Sequence, residues 1–413
     1  MHRLSYVPVL FICIISLVLD WYVFQGVRSL TTSLNEEGRS LVYIMFWLSS
    51  FVVLNAFSVN FYKAIPTGKF TPLFTVIFNV FITLFITKLT FVFVLFAEDV
   101  YRAFAGLINH YPPRSKTLSQ IGLLVALVPF LSFIFGVTRG KYHYKVRRTT
   151  LFFDDLPEKF DGFTLTQISD IHSGSLDSLK GVQRGIDLIN AQRSDVFVFT
   201  GDLVNNKASE IEPWISVFKQ IKAKSGKFSI LGNHDYGDYI TWNSQEEKVL
   251  NLQRLMENHK KLGFRLLMDE HVKIEREGHS ITLLGVENWG LGFGQRGNLN
   301  KALQGTEDGS VKILLSHDPS HWDAQVKNYP EKVHLTLSGH THGMQFGIEL
   351  FGFKWSPVKY RYPNWAGLAT YNNRYLYVNR GFGFLGFAGR VGIWPEITVI
   401  QFRKNKSYIK KIK

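Results

Sequence analysis

Cysteine is nearly absent from this chain, since Cys13 is the only one among 413 residues. One cysteine cannot form a disulfide within the chain, and the thiolate sites that hold structural zinc or iron–sulfur clusters need several. The serine motif G-x-S-x-G is also missing, and no cysteine–histidine pair suggests a thiol nucleophile. Catalytic chemistry or metal binding would therefore depend on oxygen and nitrogen ligands.

Signals for binding nucleotides and nucleic acids are weak as well. The segment 381–386 (GFGFLG) is rich in glycine, but it lacks the lysine and the strand–turn–helix context of a P-loop. The net charge is +14, yet no long basic run is interleaved with stacking aromatic residues. The excess lies beside apolar segments (Arg139, Lys141, Lys145, Arg147, Arg148) and in the tail 403–413. This distribution favours an anionic membrane surface, and no nucleic-acid partner is expected.

Long apolar runs are abundant in the first third of the chain. Four stretches approach the ~20 residues that cross a hydrocarbon core. They are Tyr6–Val23, Leu41–Val59, Pro72–Ala97 and Leu118–Val137. The sequence predicts an all-α membrane anchor of four transmembrane helices over residues 1–137. A basic linker over 138–155 and a globular domain over 156–413 would follow.

The distribution of cations predicts the orientation of this anchor. With four spans, one side of the membrane carries Arg3, Lys63, Lys69 and the five basic residues after Val137. The other side carries Arg28, Arg39, Arg102, Arg114 and Lys116, offset by Glu36, Glu37, Glu98 and Asp99. The positive-inside rule then puts both termini in the cytoplasm. The expected location is the cell (inner) membrane, multi-pass, with the globular domain cytoplasmic.

Lys88 lies deep within the third apolar stretch. An ionisable residue at such a depth is a functional candidate by default. The alternative is a lysine that extends to the interface or lines a helix–helix contact. Nothing else in the four stretches resembles a transport pathway.

The globular domain alternates apolar runs with helical patterns. Five short apolar runs read as strands: 163–169, 195–200, 228–231, 311–316 and 333–338. Amphipathic helices are predicted over Leu176–Gln192, Ser209–Ala223 and Gln245–Leu262. This alternation is typical of an α/β domain, in which sites form beyond the carboxyl ends of the strands.

Polar residues cluster where each of these five strands ends. The candidates are Asp170, His172, Asp202, Asn233, His317, His340 and His342. Taken singly, each has an ordinary alternative, such as a helix N-cap, a turn or a core histidine. Seven oxygen and nitrogen ligands at one edge exceed the needs of one tetrahedral ion. They suit two ions that share a carboxylate.

The order of these clusters resembles the calcineurin-like metallophosphoesterase family. D-x-H, G-D, G-N-H-D, S-H and G-H-x-H follow one another, each after a strand, within 162–403. The apolar N-terminal third and the form G-H-T-H-G-x-Q are similar to the membrane-anchored branch, the transmembrane proteins with a metallophosphoesterase domain. The resemblance implies a four-layer α-β-β-α sandwich with two mixed sheets. Asn205 and Met344 depart from the pattern, which bears on substrate preference.

The resemblance also implies a role for each residue. Asp170, His172 and His342 would hold one ion, Asn233, His317 and His340 the other, and Asp202 would bridge the two. His234 would face the phosphate, and Asp235 would orient its imidazole. The two divalent ions would lower the pKa of a bridging water for attack on phosphorus. A shell rich in histidine favours Mn, Fe or Zn over Mg.

The substrate is less closely defined. The expected function is hydrolysis of a phosphodiester or pyrophosphate at the membrane, including a lipid-linked one such as UDP-2,3-diacylglucosamine. A membrane sensor or scaffold that binds a phosphorylated ligand without turnover is the alternative. The aromatic segments 346–365 and 382–387 would either pack at the sheet margin or meet bilayer lipids and acyl chains. Arg390 would contact a substrate phosphate or hold the terminal strands through a carboxylate.

Overall fold

Four long helices form the first part of the chain. They are α1 (Val7–Leu30), α2 (Glu36–Ala64), α3 (Pro72–Leu107) and α4 (Lys116–Thr138). The computed structural model describes residues 7–64, 71–108 and 111–405, so Arg3 and Lys69 of the orientation argument lie outside the described residues. All four helices are long and apolar enough to cross a membrane. The predicted spans are thereby confirmed as helices.

Lys88 links three helices inside this helical unit. The Nζ of Lys88 on α3 lies 2.5 Å from a carboxylate oxygen of Asp20 on α1 and 2.9 Å from the hydroxyl of Ser50 on α2. Lys88 therefore lines a helix–helix contact, which was one of the two predicted alternatives. Nearby, a Cβ at Gly26 would come within 2.6 Å of the Phe91 ring. Small residues let helices approach closely in this way.

The chain divides into two compact units. The first comprises Met1–Thr138 together with the short segment Gly386–Gly389, and the second comprises Arg139–Leu385 and Arg390–Lys413. Within the first unit, the backbone N–H of Ala388 donates to the side-chain oxygen of Asn79 on α3. The helical unit thus includes one loop from late in the chain, which the sequence did not indicate.

The predicted basic linker over 138–155 is wrong for half of its length. Residues Lys145–Phe153 form strand β1, which pairs in parallel with the last strand, β14 (Glu396–Lys404). Only Leu151 and Phe153 of β1 are buried. The charged and exposed positions before them are typical of an edge strand, which is why the stretch resembled a linker.

Twelve further strands complete the second unit. They are β2 (Thr164–Ile168), β3 (Val196–Thr200), β4 (Lys227–Ile230), β5 (Arg265–Leu266), β6 (Glu270–Arg276), β7 (His279–Gly285), β8 (Lys312–Leu315), β9 (Leu335–Ser338), β10 (Ile348–Leu350), β11 (Phe353–Trp355), β12 (Gly367–Tyr371) and β13 (Arg374–Val378). One mixed sheet has the order β1-β14-β2-β3-β4-β5, and the other has β12-β13-β9-β8-β7-β6. Strands β10 and β11 form a separate hairpin.

The main core lies between the two six-stranded sheets. Leu165, Val198 and Ile230 of the first sheet are buried in one cluster with Leu315 and Leu337 of the second. Helices cover the outer faces: α5 (Leu179–Ala191), α6 (Ile215–Phe218), α7 (Gln245–Lys261), α8 (Leu299–Leu303) and α9 (Ser320–Ala324). The α/β four-layer architecture is as predicted.

One predicted helix is much shorter than expected. Of the stretch 209–223, only Ile215–Phe218 is α-helical, preceded by two 3-10 turns at Ala208–Glu210 and Glu212–Trp214. Pro213 lies in the first turn of the second segment, where it cannot donate a backbone hydrogen bond to a preceding turn. The proline therefore prevents one continuous helix. The predictions for α5 and α7 agree with the structure to within three residues at each end.

Strand direction determines where the polar clusters lie. Strands β2, β3 and β4 are parallel neighbours in the first sheet, and β8 and β9 are parallel neighbours in the second. The carboxyl ends of parallel neighbours lie at the same sheet edge. Each of the five clusters follows one of these strands directly.

Candidate metal centre

Two groups of ligand-type side chains form at this edge. One contains Asp170, His172 and His342, and the other contains Asp202, His317 and His340. Within each group, one ligand atom per residue lies within 4.8 Å of the others. Asn233 joins the second group, because its Oδ1 lies 2.9 Å from Nδ1 of His340. All seven candidates are thus brought together, in the two sets that the resemblance implied.

Asp202 lies between the two groups. Its Oδ2 is 3.2 Å from Nε2 of His317 in the second group and 3.5 Å from Nε2 of His172 in the first. In the first group, Nε2 of His172 is 3.0 Å from Nε2 of His342, which in turn is 3.3 Å from Asp170. One carboxylate therefore faces histidines of both sets.

Unusual backbone angles direct these side chains inward. Five of the candidates have positive φ: Asp170 (53°), His172 (47°), Asp202 (63°), His340 (69°) and His342 (51°). Residues other than glycine seldom adopt this region, and such strain concentrates at functional sites. Positive φ at both positions takes this segment out of strand geometry. His340 then joins the second ligand group and His342 the first.

Glycines allow the loops to pack closely around the centre. A Cβ at Gly339 would lie 1.8 Å from the hydroxyl of Ser169 and 2.3 Å from Asp170. A Cβ at Gly232 would lie 2.3 Å from Oδ1 of Asp202. No side chain fits at either position without displacing a candidate residue or its neighbour.

Backbone and side-chain contacts fix the orientation of several ligands. Nδ1 of His317 lies 2.7 Å from the carbonyl oxygen of Thr200. In the neutral imidazole, Nδ1 would carry the proton and donate it to that carbonyl. The lone pair that can bind a cation is then on Nε2. Nε2 is buried and faces the Asp202 carboxylate at 3.2 Å, the position expected of an atom that binds a cation beside a shared carboxylate. The side-chain amide of Asn233 donates to the Tyr239 hydroxyl, so its oxygen faces His340.

The electrostatics of the cluster also fit cations. Burial, together with the charge of Asp202, raises the pKa of Asp170 to about 7. Burial alone would lower the pKa of His317, but the Asp202 carboxylate outweighs it and raises that pKa to about 10, so a cation at Nε2 would take the place of a proton. Burial lowers the pKa of His172 to about 3 and of His340 to about 4. The last two imidazoles are therefore neutral at pH 7, the form that binds metals.

His234 occupies the rim of the centre, where it is half-buried. Its Nδ1 lies 2.8 Å from the carbonyl oxygen of Asn205, and its backbone N–H donates to Oδ1 of Asp202. The ring contacts those of His172 and Tyr239, with centroids 4.9 and 4.5 Å away. With Nδ1 engaged by a carbonyl, Nε2 is the nitrogen available to a substrate.

The predicted role of Asp235 is wrong. Its carboxylate accepts hydrogen bonds from the backbone N–H groups of Gly232, Asp202, Leu203 and Val204. Asp235 is the middle residue of a tight 3-10 turn, His234–Tyr236, and its carboxylate reaches the loop after β3. It therefore fixes the loop that carries Asp202, while the Asn205 carbonyl orients the His234 imidazole.

Tyr362 and Asp318 are contacts that sequence reasoning missed. The Tyr362 hydroxyl lies 2.9 Å from Nε2 of His340 and donates to Asp318, 3.1 Å away. Asp318 itself lies 3.4 Å from the same His340 nitrogen. Asp318 directly follows His317, so its position after a strand was a usable signal. Tyr362 belongs to an aromatic segment in which no local pattern marked it.

Neither predicted role of Arg390 is correct. The guanidinium is fully buried and donates to the carbonyl oxygens of Gly383 and Arg380. It therefore holds the loop that follows β13. Phe382 and Phe384 in the same loop are also buried, so these two rings pack within the unit and are closed to acyl chains.

The two departures from the family pattern have simple structural descriptions. Asn205 supplies the carbonyl for His234, and its side-chain amide donates to the Ser175 hydroxyl. Met344 has φ of 55° and is exposed. Glycine reaches that angle without strain, which explains why it is usual there.

A two-sheet α/β sandwich with paired Asp/His groups beyond its strand ends defines a metal-dependent hydrolase. Comparison with known families agrees with this class. Residues 3–141 match the transmembrane domain of probable calcineurin-like phosphoesterases, and residues 163–344 match the calcineurin-like phosphoesterase domain.

Individual relatives point the same way. The chain is 30% identical over 255 residues to the metallophosphoesterase YkuE of Bacillus subtilis, covering 60% of this chain and 82% of that protein. It is 27% identical over 292 residues to the transmembrane protein with metallophosphoesterase domain of Danio rerio, covering 68% and 62%. A phosphopantetheinyl hydrolase structure from Mycobacterium tuberculosis aligns over 48% of this chain and 89% of its own, with 14% identity and a TM-score of 0.29. A superposition that weak adds nothing to the assignment.

The chain belongs to the calcineurin-like metallophosphoesterase family. It is a metal-dependent phosphoester hydrolase with membrane-crossing helices, and divalent metal ions are the cofactors of its family.

Proposed function

We propose that this protein hydrolyses a phosphodiester or pyrophosphate bond with two divalent cations, at the surface of the membrane that its helices cross. The observation that carries the proposal is the position of Asp202, whose Oδ2 faces histidines of both ligand groups. A carboxylate shared between two sets of ligands suits a pair of ions. A single ion would leave one of the two groups without a function.

The side chains divide naturally between two positions. Asp170, His172 and His342 would hold one cation, Asn233, His317 and His340 would hold the other, and Asp202 would contact both. When bound, two such ions activate a water molecule and neutralise charge on the phosphoryl oxygens. The histidine-rich set favours Mn, Fe or Zn over Mg, which prefers oxygen ligands.

His234 would act on the substrate as the proton-transfer group. Its Nδ1 is held by the Asn205 carbonyl, so its Nε2 would donate to a phosphoryl or leaving-group oxygen when protonated. The ring is half-buried at the rim, which leaves it accessible to substrate. Asp235 would keep the Asp202 loop in place through its four backbone hydrogen bonds.

The membrane helices favour a lipid-linked substrate. The second unit begins at Arg139, directly after α4 ends at Thr138, so no long linker separates it from the membrane-crossing helices. A soluble phosphoester would not require this attachment. A nucleotide-activated glycolipid of the UDP-2,3-diacylglucosamine type has both a pyrophosphate and acyl chains. The distribution of cations supports a cytoplasmic position for the centre, at the cell (inner) membrane.

Turnover by the purified full-length protein tests the proposal. The protein would be stripped with a chelator, reloaded with Mn²⁺ or Zn²⁺ and assayed with bis(p-nitrophenyl) phosphate in mixed micelles. We expect activity that depends on the added metal and is lost in His340→Ala. Metal binding without turnover of this or any pyrophosphate substrate would instead favour the sensor or scaffold.

A matched pair of substrates tests the lipid link separately. Long-chain and chain-free pyrophosphates with the same scissile bond would be compared by kcat/KM in the same micelles. Preference for the long-chain form supports a lipid-linked substrate. Equal values would remove that part of the proposal and leave the hydrolase intact.

A further inference from the structure

The hairpin of β10 and β11 has two chemically different faces. Directly opposite residues in an antiparallel pair lie on the same face. Ile348 pairs with Trp355 and Leu350 pairs with Phe353, whereas Glu349 pairs with Lys354. One face of the hairpin is therefore apolar and the other is charged.

The charged face is fastened to the rest of the second unit. Glu349 forms ion pairs with Arg147 on β1 at 2.6 Å and with Arg380 at 2.9 Å. Arg380 is buried and also pairs with Glu396 on β14. Lys354 donates to the carbonyl oxygen of Ala366. These contacts fix the orientation of the hairpin, with its charged face toward the second unit.

The apolar face consequently points away from the unit. Ile348, Leu350 and Phe353 are 53%, 58% and 60% exposed, and Phe351 at the tip is 98% exposed. Isolated apolar residues at a surface are common, but a contiguous set is typical of a binding surface.

The turn at the tip has an unusual residue at its first position. Phe351 and Gly352 have φ of 49° and 82°. Two-residue turns with positive φ at both positions favour asparagine, aspartate or glycine. Two other hairpins of the unit have the same kind of turn, with Glu277-Gly278 (50°, 76°) and Asn372-Asn373 (47°, 57°). Glu277 has almost the same positive φ, so the strain is not particular to Phe351. What distinguishes Phe351 is a large apolar ring at a fully exposed tip, which is typical of a residue that contacts a partner.

The surroundings of the hairpin fit an anionic lipid surface. Residues 344–361 contain three cations, Lys354, Lys359 and Arg361, and the single acid Glu349. Glu349 is already neutralised by two arginines. Tyr360 is 78% exposed, and tyrosine beside lysine is typical of the headgroup level. The same chain supplies four membrane-crossing helices, and its second unit begins one residue after the last of them.

We propose that this hairpin inserts Phe351 and its apolar face into the lipid bilayer. The base of the hairpin is joined to the candidate metal centre, because the Ser356 hydroxyl donates to the carbonyl oxygen of Gly343, the residue after His342. Insertion would hold the loop of His342 at the membrane surface. The contact requires only a bilayer and holds whether or not the substrate carries acyl chains.

The single cysteine makes insertion measurable in the full-length protein. In a Cys13→Ser background, Phe351→Cys would carry an environment-sensitive NBD label after reconstitution into phosphatidylcholine–phosphatidylglycerol vesicles. Glu277→Cys is the matched control, at a polar hairpin tip with the same turn. We expect a blue-shifted label at 351 that is quenched by nitroxide lipids, and a label at 277 that is not. Equal quenching at both positions, or cross-linking of two chains through 351, would overturn the proposal.

Phe351→Asn provides a second test that does not depend on labelling. Asparagine suits the turn, so the variant should fold with unchanged or higher thermal stability. We expect kcat/KM for a vesicle-borne substrate to fall by roughly 10- to 100-fold, the scale of one buried aromatic side chain. Activity on soluble bis(p-nitrophenyl) phosphate should not change. A wild type without any turnover would refute the proposed hydrolysis and leave the quenching result to decide on insertion.

Discussion

Replacement of Asp202 by asparagine distinguishes a carboxylate that serves two cations from an ordinary hydrogen-bond acceptor. Oδ1 accepts the backbone N–H of His234 at 2.9 Å, and asparagine can retain that contact through its own oxygen. Oδ2 lies 3.2 Å from His317 and 3.5 Å from His172. The substitution places a neutral amide group there at almost unchanged volume.

The expected loss follows from these distances. Two unit charges 3.2 Å apart interact by about 5 kcal/mol at an effective dielectric constant of about 20. A divalent cation beside Oδ2 would lose at least that interaction. Its affinity should therefore fall by more than about 10³-fold. Because Asp202 faces both groups, we expect both metal positions to be affected.

Metal content measured by plasma mass spectrometry after dialysis is the assay. Asp202→Asn should retain neither metal and show no turnover, with a circular dichroism spectrum like that of the wild type. Asp170→Asn is the matched control, because its carboxylate belongs to the first group alone in the two ligand sets. It should lose one metal and retain the other. Two metals per chain in Asp202→Asn would refute the shared carboxylate.

Four further outcomes are expected. His234→Ala should keep near-normal metal content but slow turnover by roughly 10²–10⁴-fold, and metal loss equal to that of His340→Ala would contradict its assignment. Asp235→Asn should lower the melting temperature, since each backbone N–H left without an acceptor costs about 1–3 kcal/mol; slow turnover at unchanged stability would instead show that it orients His234. Burial lowers the pKa of His259 to about 3, below its unfolded value of about 6.5. Between these values the unfolded chain binds a proton that the folded chain lacks, so stability should fall as pH drops below about 6.5, by up to ~1.4 kcal/mol per unit. His259→Gln should flatten that slope in thermal melts, and an unchanged slope would assign it to other groups. Lys88→Met should lower the free energy of unfolding of the helices by about 3–5 kcal/mol in detergent, because it leaves Asp20 without its partner. Adding Asp20→Leu should restore much of that stability. If the two substitutions instead destabilise additively, Lys88 and Asp20 do not interact directly.

Most of the candidate site could be predicted because its residues lie directly after strands. Five apolar runs, each followed by a polar cluster, appear in the structure as β2, β3, β4, β8 and β9. Parallel pairing brings the carboxyl ends of β2, β3 and β4 to one edge of the first sheet, and those of β8 and β9 to one edge of the second. These are rules of topology that need no knowledge of individual contacts. Residue identity at those ends was therefore enough to predict seven side chains in one place.

The direction of individual side chains could not be predicted in this way. Asp235 and Arg390 lie close to the centre, but their polar atoms bind backbone groups of neighbouring loops. Those loops are distant in sequence or conformationally irregular, so no periodicity reveals where their N–H and C=O groups lie. Strand β1 was missed for a related reason. Its partner β14 is more than 200 residues away, and its exposed basic residues match a linker as well as an edge strand.

Phe351 shows which signal in the aromatic segment could have been used. The run 346–355 contains several large apolar residues, and composition alone cannot distinguish a core strand from an exposed hairpin. The pair Phe351-Gly352 between two short alternating runs does distinguish them. Glycine at the second position suits a two-residue turn, and a phenylalanine just before it is then forced to a tip, where no neighbouring strand can cover it. A large apolar residue at a position that geometry keeps exposed is open to a partner outside the domain, and in a chain with four membrane-crossing helices the partner we propose is the bilayer.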